Sequence, residues 1–494
     1  MKIHCNNFIK EIFSKPVNLE HPADGIRFEI WRRQWEIYDL TANRAYAEKI
    51  SEYIADLSQK NSYYTAEACY YRAAVLVNRS EFKEALAQAM EGLEIARAGN
   101  DSRKNAQLLA QCGKCCYQLG DFAGSLGHWQ RIVEMASATG MSDIQATALN
   151  SIGLIYWKTS RYEEALEVLK KAGEAYQHQH DLRSSALTLQ SIGNVLLGLD
   201  RTEQALEVYN RSQALAQKTG DLSLQSALLN NIGSIFFRQG YLSQARETYE
   251  QGLKIDRILG NLTGQAKKLN NLGILLATLG KNQLALEYTI KALEIDTSTG
   301  NLDGQMAKMG NISSLWLEMG DTEKAIIYID QGIKLSQKLG SQAFLGQFLG
   351  AKVKIELKIG HPEEAIRFGE EALKINRQIG NRSYQVSALI NMQEVYLSLG
   401  KPKTALECTN QALELVKDTD LFDIEKESIY FAHYQSLIAN GRYGESATFL
   451  ELAYREILRQ AEGIEDREGR EYFLHGEPQH RQIIEQWERT GAKK

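Results

Sequence analysis

The sequence repeats itself every forty residues from about residue 60 to about residue 420, with no insertion between copies. Each copy is then one small supersecondary unit that cannot bury its apolar face alone, so the copies must stack. Four rungs mark the period. Gly120, Gly240, Gly280, Gly320, Gly360 and Gly400 form the first, with Ser80, Ser160 and Asp200 in the vacant steps. Gly140, Gly220, Gly260, Gly300, Gly340 and Gly380 form the second. Ala45, Ala85, Ala165, Ala205, Ala245, Ala285, Ala325, Ala365 and Ala405 form the third, broken by Ser125. Gly113, Gly153, Gly193, Gly233 and Gly273 form the fourth, which gives way to Ser313, Val353 and Gln393.

The first two rungs stand where apolar helical periodicity stops, so they read as helix-closing residues in the left-handed conformation. Asp221, Asn261, Asn301, Ser341 and Asn381 follow the second rung directly and are expected to cap the next helix through their side-chain oxygens. Each unit is therefore two antiparallel helices. The alanine rung and the fourth rung lie inside those helices, where a small side chain lets the pair approach closely. A helical Gly costs about 1 kcal/mol against Ala, and close packing is the expected compensation.

In one unit the marked positions are Leu229, Ile232, Gly233, Phe236, Gly240, Leu242, Ala245, Tyr249 and Gly252. This pattern resembles the tetratricopeptide repeat in its forty-residue variety, and is similar to kinesin light chains, spindle-orientation adaptors and bacterial repeat regulators. The resemblance implies an all-α, right-handed superhelical solenoid of about eleven helix pairs, with first helices lining the concave surface and a C-terminal capping helix. The expected domains are an N-terminal segment at 1–23, the array at 24–461, and a C-terminal cap and tail at 462–494.

Adjacent asparagines open "NNIGSIFF" and return in "NNLGILLA". At about 100° per residue, Leu229, Ile232, Gly233 and Phe236 share the side that must be buried, while Asn230, Asn231, Ser234 and Arg238 share the other. If first helices line the groove, that second set faces it. Asn150, Lys158, Gln190, Asn194, Lys267, Asn270, Asn271, Asn311, Lys354 and Asn391 occupy matching steps. A side-chain amide both donates and accepts, so stacked amides can pair with the N–H and C=O of an extended peptide of any sequence. The alternative is that these amides brace neighbouring repeats. Lys158, Arg238 and Lys267 add the expectation of a partner with acidic character.

"CGKCC" invites a metal or redox reading, but register assigns Cys112, Cys115 and Cys116 to core steps taken elsewhere by Ile152, Ile155 and Tyr156. Cys69 and Cys408 fall on core steps as well. No metal site is expected, and "HQH", His178 to His180, reads as a solvated link. No phosphate-cradle, serine-nucleophile or zinc-protease motif occurs, so neither a catalytic residue nor a cofactor is expected. A net charge of −5 offers no electrostatic reason for a nucleic-acid partner. The absence of a signal-like or membrane-spanning apolar run sets the expectation of a cytoplasmic protein without membrane insertion.

The opening includes "FIKEIF", a candidate cap for the first unit. Near the other end, Ile464, Phe473, Leu474, Ile483, Ile484 and Trp487 are expected to shield the last apolar face, in a segment similar to those closing such arrays in bacterial multidomain ATPases and nucleotide cyclases. Loss of the packing Gly after 301, and of the Asn step at Gly350 and Ala351, should splay the helix pairs and predicts a change in curvature or a weakened ladder between about 310 and 400. The expected function is a non-enzymatic scaffold holding an extended peptide or partner helix in its amide-lined groove. The alternative is a regulatory sensor subunit that controls a signalling enzyme or transcription factor by changing superhelix pitch, as Rap-type regulators do. Those carry a helical bundle before the repeats, for which some twenty residues are available here. A third reading is the repeat half of a larger signalling enzyme.

Overall fold

The computed structural model describes residues 28, 30–35, 44–60, 64–99, 101–417, 425–465 and 467–491. The segment 1–23, with its expected cap, and the start of the first unit lie outside them. Every described element is a helix, and the chain divides into two compact units, residues 1–199 and 200–494. No described helix is long and apolar enough to cross a membrane.

The first unit runs through helices Arg44–Lys60, Thr65–Asn78, Phe82–Ala98, Ser102–Gln118, Phe122–Thr139, Ser142–Lys158, Tyr162–His178 and Leu182–Gly198. The second opens with Thr202–Thr219. Six hairpins follow: Leu222–Arg238 with Leu242–Leu259, Leu262–Thr278 with Asn282–Ser298, Leu302–Glu318 with Thr322–Leu339, Gln342–Lys358 with Pro362–Gln378, Arg382–Ser398 with Pro402–Val416, and Lys426–Ala439 with Tyr443–Glu462. In both units the first helix of a hairpin also touches the first helix of the next, which puts first helices on the inside of each unit's curve.

The links follow from the glycine rungs. Residues of both rungs adopt positive φ, for example +84° at Gly240 and +67° at Gly260. Ser80, Ser160, His180 and Asp200 hold the same conformation without being glycine. After the second rung, Asp221, Asn261, Asn301 and Asn381 accept from the backbone N–H three residues on. Ser341 departs from expectation and makes no side-chain cap bond.

Helix pairs close by an exchange of volume. A methyl on Gly113 would lie 2.6 Å from Trp129, one on Gly153 2.5 Å from Leu169, and one on Gly233 2.7 Å from Tyr249, so each glycine makes room for the large residue on the facing helix. Alanines from Ala85 to Ala405 in the third rung are fully buried. Ala45 is exposed while Ala47, Ile50 and Ile54 are buried, so the strict period does not reach the earliest helices. Ser125 and Ser313 replace a small apolar residue and donate to the carbonyls of Gly113 and Ala325, at 2.7 and 2.9 Å. Adjacent hairpins repeat the exchange: Gly92 meets Leu108, and Gly252 meets Lys268.

The expected splaying after residue 310 does not occur in the pair that carries Val353. Val353 is fully buried, and the facing step is Gly369, whose added methyl would stand 2.5 Å from Met392 Cγ and at ordinary contact distance, 3.5 Å, from Val353 Cγ2. Gln342–Lys358 and Arg382–Ser398 pack against each other as successive first helices, and an added methyl on Gly350 would stand in open space beside them.

Past the last hairpin the chain forms Arg467–Glu471, a π-helical turn Tyr472–Gly476, and Pro478–Gly491. Ile483 is fully buried against Phe431, Leu450 and Ile457, with Phe473, Leu474 and Trp487 packed around them. Trp487 stacks on Tyr454, ring centroids 5.0 Å apart. The stretch entering this cap also reaches back to the start of the same unit. Gly463 lies against the backbone of Gln239 and Gly240, Gln244 donates to Glu465 at 3.3 Å, and the Tyr472 ring covers Gly280.

Two predictions follow from these environments. His180 carries a φ of +54° in an exposed link. A non-glycine residue in this conformation costs roughly 1–2 kcal/mol, partly offset by the freedom glycine gives the unfolded chain. His180→Gly is expected to raise stability by about 0.5–1 kcal/mol, read from urea unfolding. His433 is buried, with Nδ1 2.9 Å from Thr409 Oγ1 and its ring 4.3 Å from Phe449. Burial first, and Arg442 second, push its pKa down to about 4, with Glu445 opposing. The unfolded chain titrates near 6.5 and so binds the extra proton first. The stability from this group is complete above about pH 6.5, declines as pH falls toward 4 and is constant below, a loss on the order of 3 kcal/mol. Urea midpoints against pH should show this decline in wild type and a flatter profile in His433→Gln.

Candidate binding face

The inner face of each unit is built from its first helices, and the amides are coupled to one another across it. In the second unit Asn271 Nδ2 donates to Asn230 Oδ1 at 3.1 Å, and Asn311 Nδ2 donates to Asn270 Oδ1 at 2.8 Å. Asn391 Nδ2 donates to the Gly350 carbonyl at 3.0 Å. All three bonds span 41 residues. The second asparagine of one "NN" step therefore reaches diagonally to the first of the preceding step. Asn230 and Asn391 are buried by this pairing rather than standing out from the floor.

The remaining expected residues sit on the same face in different states. Asn231 hydrogen-bonds the Tyr209 hydroxyl, whose pKa burial pushes up. Ser234 donates to the Asn230 carbonyl and takes a bond from Tyr249 Oη at 3.2 Å. Arg238, Lys267 and Lys354 are exposed, while Asn270, Asn271 and Asn311 are half-buried. Among the described residues, Asn270 Nδ2 and the Oδ1 atoms of Asn271 and Asn311 have no protein partner. In the first unit, Asn150 accepts from Thr188 Oγ1 at 3.2 Å, Gln190 and Asn194 are half-buried, and Lys158 is exposed.

A network beneath this face was missed in the sequence. Lys268 Nζ lies 2.7 Å from Asp256 Oδ2, both buried, and Lys308 Nζ lies 2.9 Å from Asp296 Oδ2. The contacts are ionic rather than aligned hydrogen bonds. The other carboxylate oxygens are held by Asn261 Nδ2 at 2.9 Å and Asn301 Nδ2 at 2.8 Å, with Ser226 Oγ also on Asp256 at 2.8 Å. The caps Asn261 and Asn301 thus serve two helices at once. The signal was present in the sequence, since Asp256 and Asp296, like Lys268 and Lys308, recur at forty residues. Above this network Lys267, although its side chain reaches solvent, has its pKa lowered, first by the protein crowding water from around the ammonium and then by Lys268 and Lys308.

The amide ladder breaks where Gly310 precedes Ala351. There the helices Leu302–Glu318, Gln342–Lys358 and Arg382–Ser398 line a pocket of about 210 Å³ that is open on one side. Leu317, Ala351, Ile355 and Ala388 supply apolar lining, and Gln347, Lys354, Tyr384 and Asn391 supply polar groups.

The cysteines take no part in this face. Cys69, Cys112, Cys115, Cys116 and Cys408 are buried thiols, and Cys5 lies outside the described residues. Burial is the leading cause that pushes Cys112 up to about 12 and Cys115 to about 11, which leaves them unreactive near neutral pH. His178 and His180 are exposed in their link.

Comparison with known proteins follows the same lines. A family model described as tetratricopeptide repeat matches residues 105–178 and 184–258. No curated protein matches the chain in sequence. Among solved structures it is similar to a Rap protein complexed with competence and sporulation factor, at 15% identity over 71% of this chain and 98% of that one, TM-score 0.52. It is similar to aspartyl phosphate phosphatase F from Bacillus subtilis, at 13% identity over 82% and 97%, TM-score 0.50. It is also similar to the apo quorum sensor NprR from B. thuringiensis, at 14% identity over 78% and 98%, TM-score 0.47. At these identities the likeness is one of fold.

Removing one partner of a buried ion pair strands the other charge, at a cost of about 3–5 kcal/mol. Lys268→Met is therefore expected to destabilise the second unit by that order. Asp256→Asn combined with Lys268→Met should recover most of the loss, as measured by urea unfolding.

Proposed function

The chain carries tetratricopeptide repeats, and we propose that it is a non-enzymatic scaffold that holds an extended peptide or partner helix on the amide-lined inner face of its first helices. One observation supports this most directly. Each of Asn270, Asn271 and Asn311 engages one of its two amide atoms in the ladder, which fixes its orientation and leaves Asn270 Nδ2 and the Asn271 and Asn311 Oδ1 atoms for a ligand backbone. Bracing and binding are then two uses of one side chain. Around Arg238 and Lys267 the face favours an acidic stretch of ligand, whereas carboxylates gather near Glu318, Glu425 and Glu477.

A second reading, a sensor that transmits ligand binding through a change of pitch, has support from the reach-back of residues 463–472 to Gly240 and Gly280. A ligand that rewinds the intervening hairpins must strain or release that contact. One solved relative is complexed with competence and sporulation factor, which is in keeping with a repeat face that takes up a signalling ligand.

The test compares wild type with a variant in which Asn230, Asn231, Asn270 and Asn271 are all Ala, each offered one displayed library of unstructured nonapeptides. At about 1 kcal/mol per lost hydrogen bond, the variant should keep its helical signal and bind selected peptides at least tenfold more weakly. Unchanged binding by a folded variant refutes the proposal. Scattering on the wild-type complex separates the two modes: an unchanged profile belongs to the scaffold, and a changed radius of gyration to the sensor.

A further inference from the structure

We propose that the cavity between Leu302–Glu318, Gln342–Lys358 and Arg382–Ser398 is an anchor subsite for one uncharged aliphatic or aromatic side chain of a bound peptide. This deepens the scaffold reading and rests on it. The cavity exists because the sequence departs from its own pattern. Steps that carry Asn270 and Asn271 in one hairpin carry Gly310 and Asn311 in the next, then Gly350 and Ala351. At the junction of Gly310 and Ala351 no amide pair can form, and the floor drops.

Three features set the chemistry of the occupant. At about 210 Å³ the space exceeds the roughly 150 Å³ of a cavity known to take up benzene, so a leucine- or phenylalanine-sized group has room. Leu317, Ala351, Ile355 and Ala388 give it an apolar lining, while Gln347 and Tyr384 can meet the flanking backbone of a peptide. The surrounding charge argues against an acidic occupant. Lys354 lines the cavity, but Glu318 and Glu425 both feel its charge and are still held above the ordinary carboxylate range. Crowding out of water is the first cause for each, followed by Glu477 for Glu318 and Glu427 for Glu425. The lysine is thus already offset, and an added carboxylate gains little.

The fold supplies a clean probe. A methyl on Gly350 would meet nothing within 4 Å, and its backbone is ordinary helix, so a side chain there starts in open space at the pocket's lining. Gly350→Leu should fill the subsite while leaving the unfolding midpoint unchanged or higher, because Gly is a poorer helix former than Leu.

The experiment uses fluorescein-labelled heptapeptide mixtures of Gly, Ser and Asn around a central Leu, Phe, Ala, Lys or Glu, titrated against full-length wild type and Gly350→Leu. Wild type should bind the Leu or Phe mixture about tenfold to a hundredfold more tightly than the Ala mixture. Gly350→Leu should erase that preference and keep its affinity for the Ala mixture. If wild type binds the mixtures without preferring Leu or Phe, or prefers Lys or Glu, the anchor subsite is refuted and the scaffold reading survives. The same holds if a folded Gly350→Leu keeps the preference. If wild type binds none of the mixtures, both readings fall together.

Discussion

Two helices can approach closely where one of them gives up side-chain volume, and several junctions among the described helices are organised by that condition. Within a hairpin a glycine faces Trp129, Leu169 or Tyr249; between hairpins Gly92 receives Leu108 and Gly252 receives Lys268. Which helix yields is free to change. Where Val353 replaces the usual glycine, the facing step is Gly369, which chiefly admits Met392 from the next hairpin, and Val353 stays fully buried beside it. Protein interiors pack at the density of organic crystals, so a periodic sequence can vary at single steps only if the facing step varies in the opposite sense.

Close approach brings polar side chains within reach of one another. The diagonal Asn271–Asn230 and Asn311–Asn270 bonds, and the Asp256–Lys268 and Asp296–Lys308 pairs beneath them, tie consecutive hairpins at fixed register. A buried unpaired charge or amide is costly, so these groups favour one stacking over its neighbours. The interactions that orient the hairpins are thus the same ones that orient the amides on the inner face.

Much of this architecture was legible in the chain. The period, the positive-φ links, the capping role of Asp221, Asn261 and Asn301, and the burial of Cys112, Cys115 and Cys116 all follow from local rules applied at a fixed spacing. What escaped were properties of pairs. Helical periodicity places Asn230 on the polar side of its helix, but only the distance to Asn271 shows that it is buried there. The loss of glycine at Val353 suggested splaying because its partner, sixteen residues on, was not weighed with it. Ala45 fitted the period by number alone. Nothing in the local pattern of residues 463–472 indicates that they return to Gly240 and Gly280, because that meeting depends on the accumulated curvature of six hairpins.

That return alters the character of the second unit as a physical system. An open stack couples each hairpin only to its neighbours, so it can fray from either end and melt in stages. Joining residue 463 to residue 240 gives the stack a boundary condition at both ends, in the manner of a chain closed into a loop. The terminal hairpins lose their freedom to peel away singly, at the expense of the chain entropy that so long a closure costs. Disorder entering at any one junction is then shared around the whole circuit.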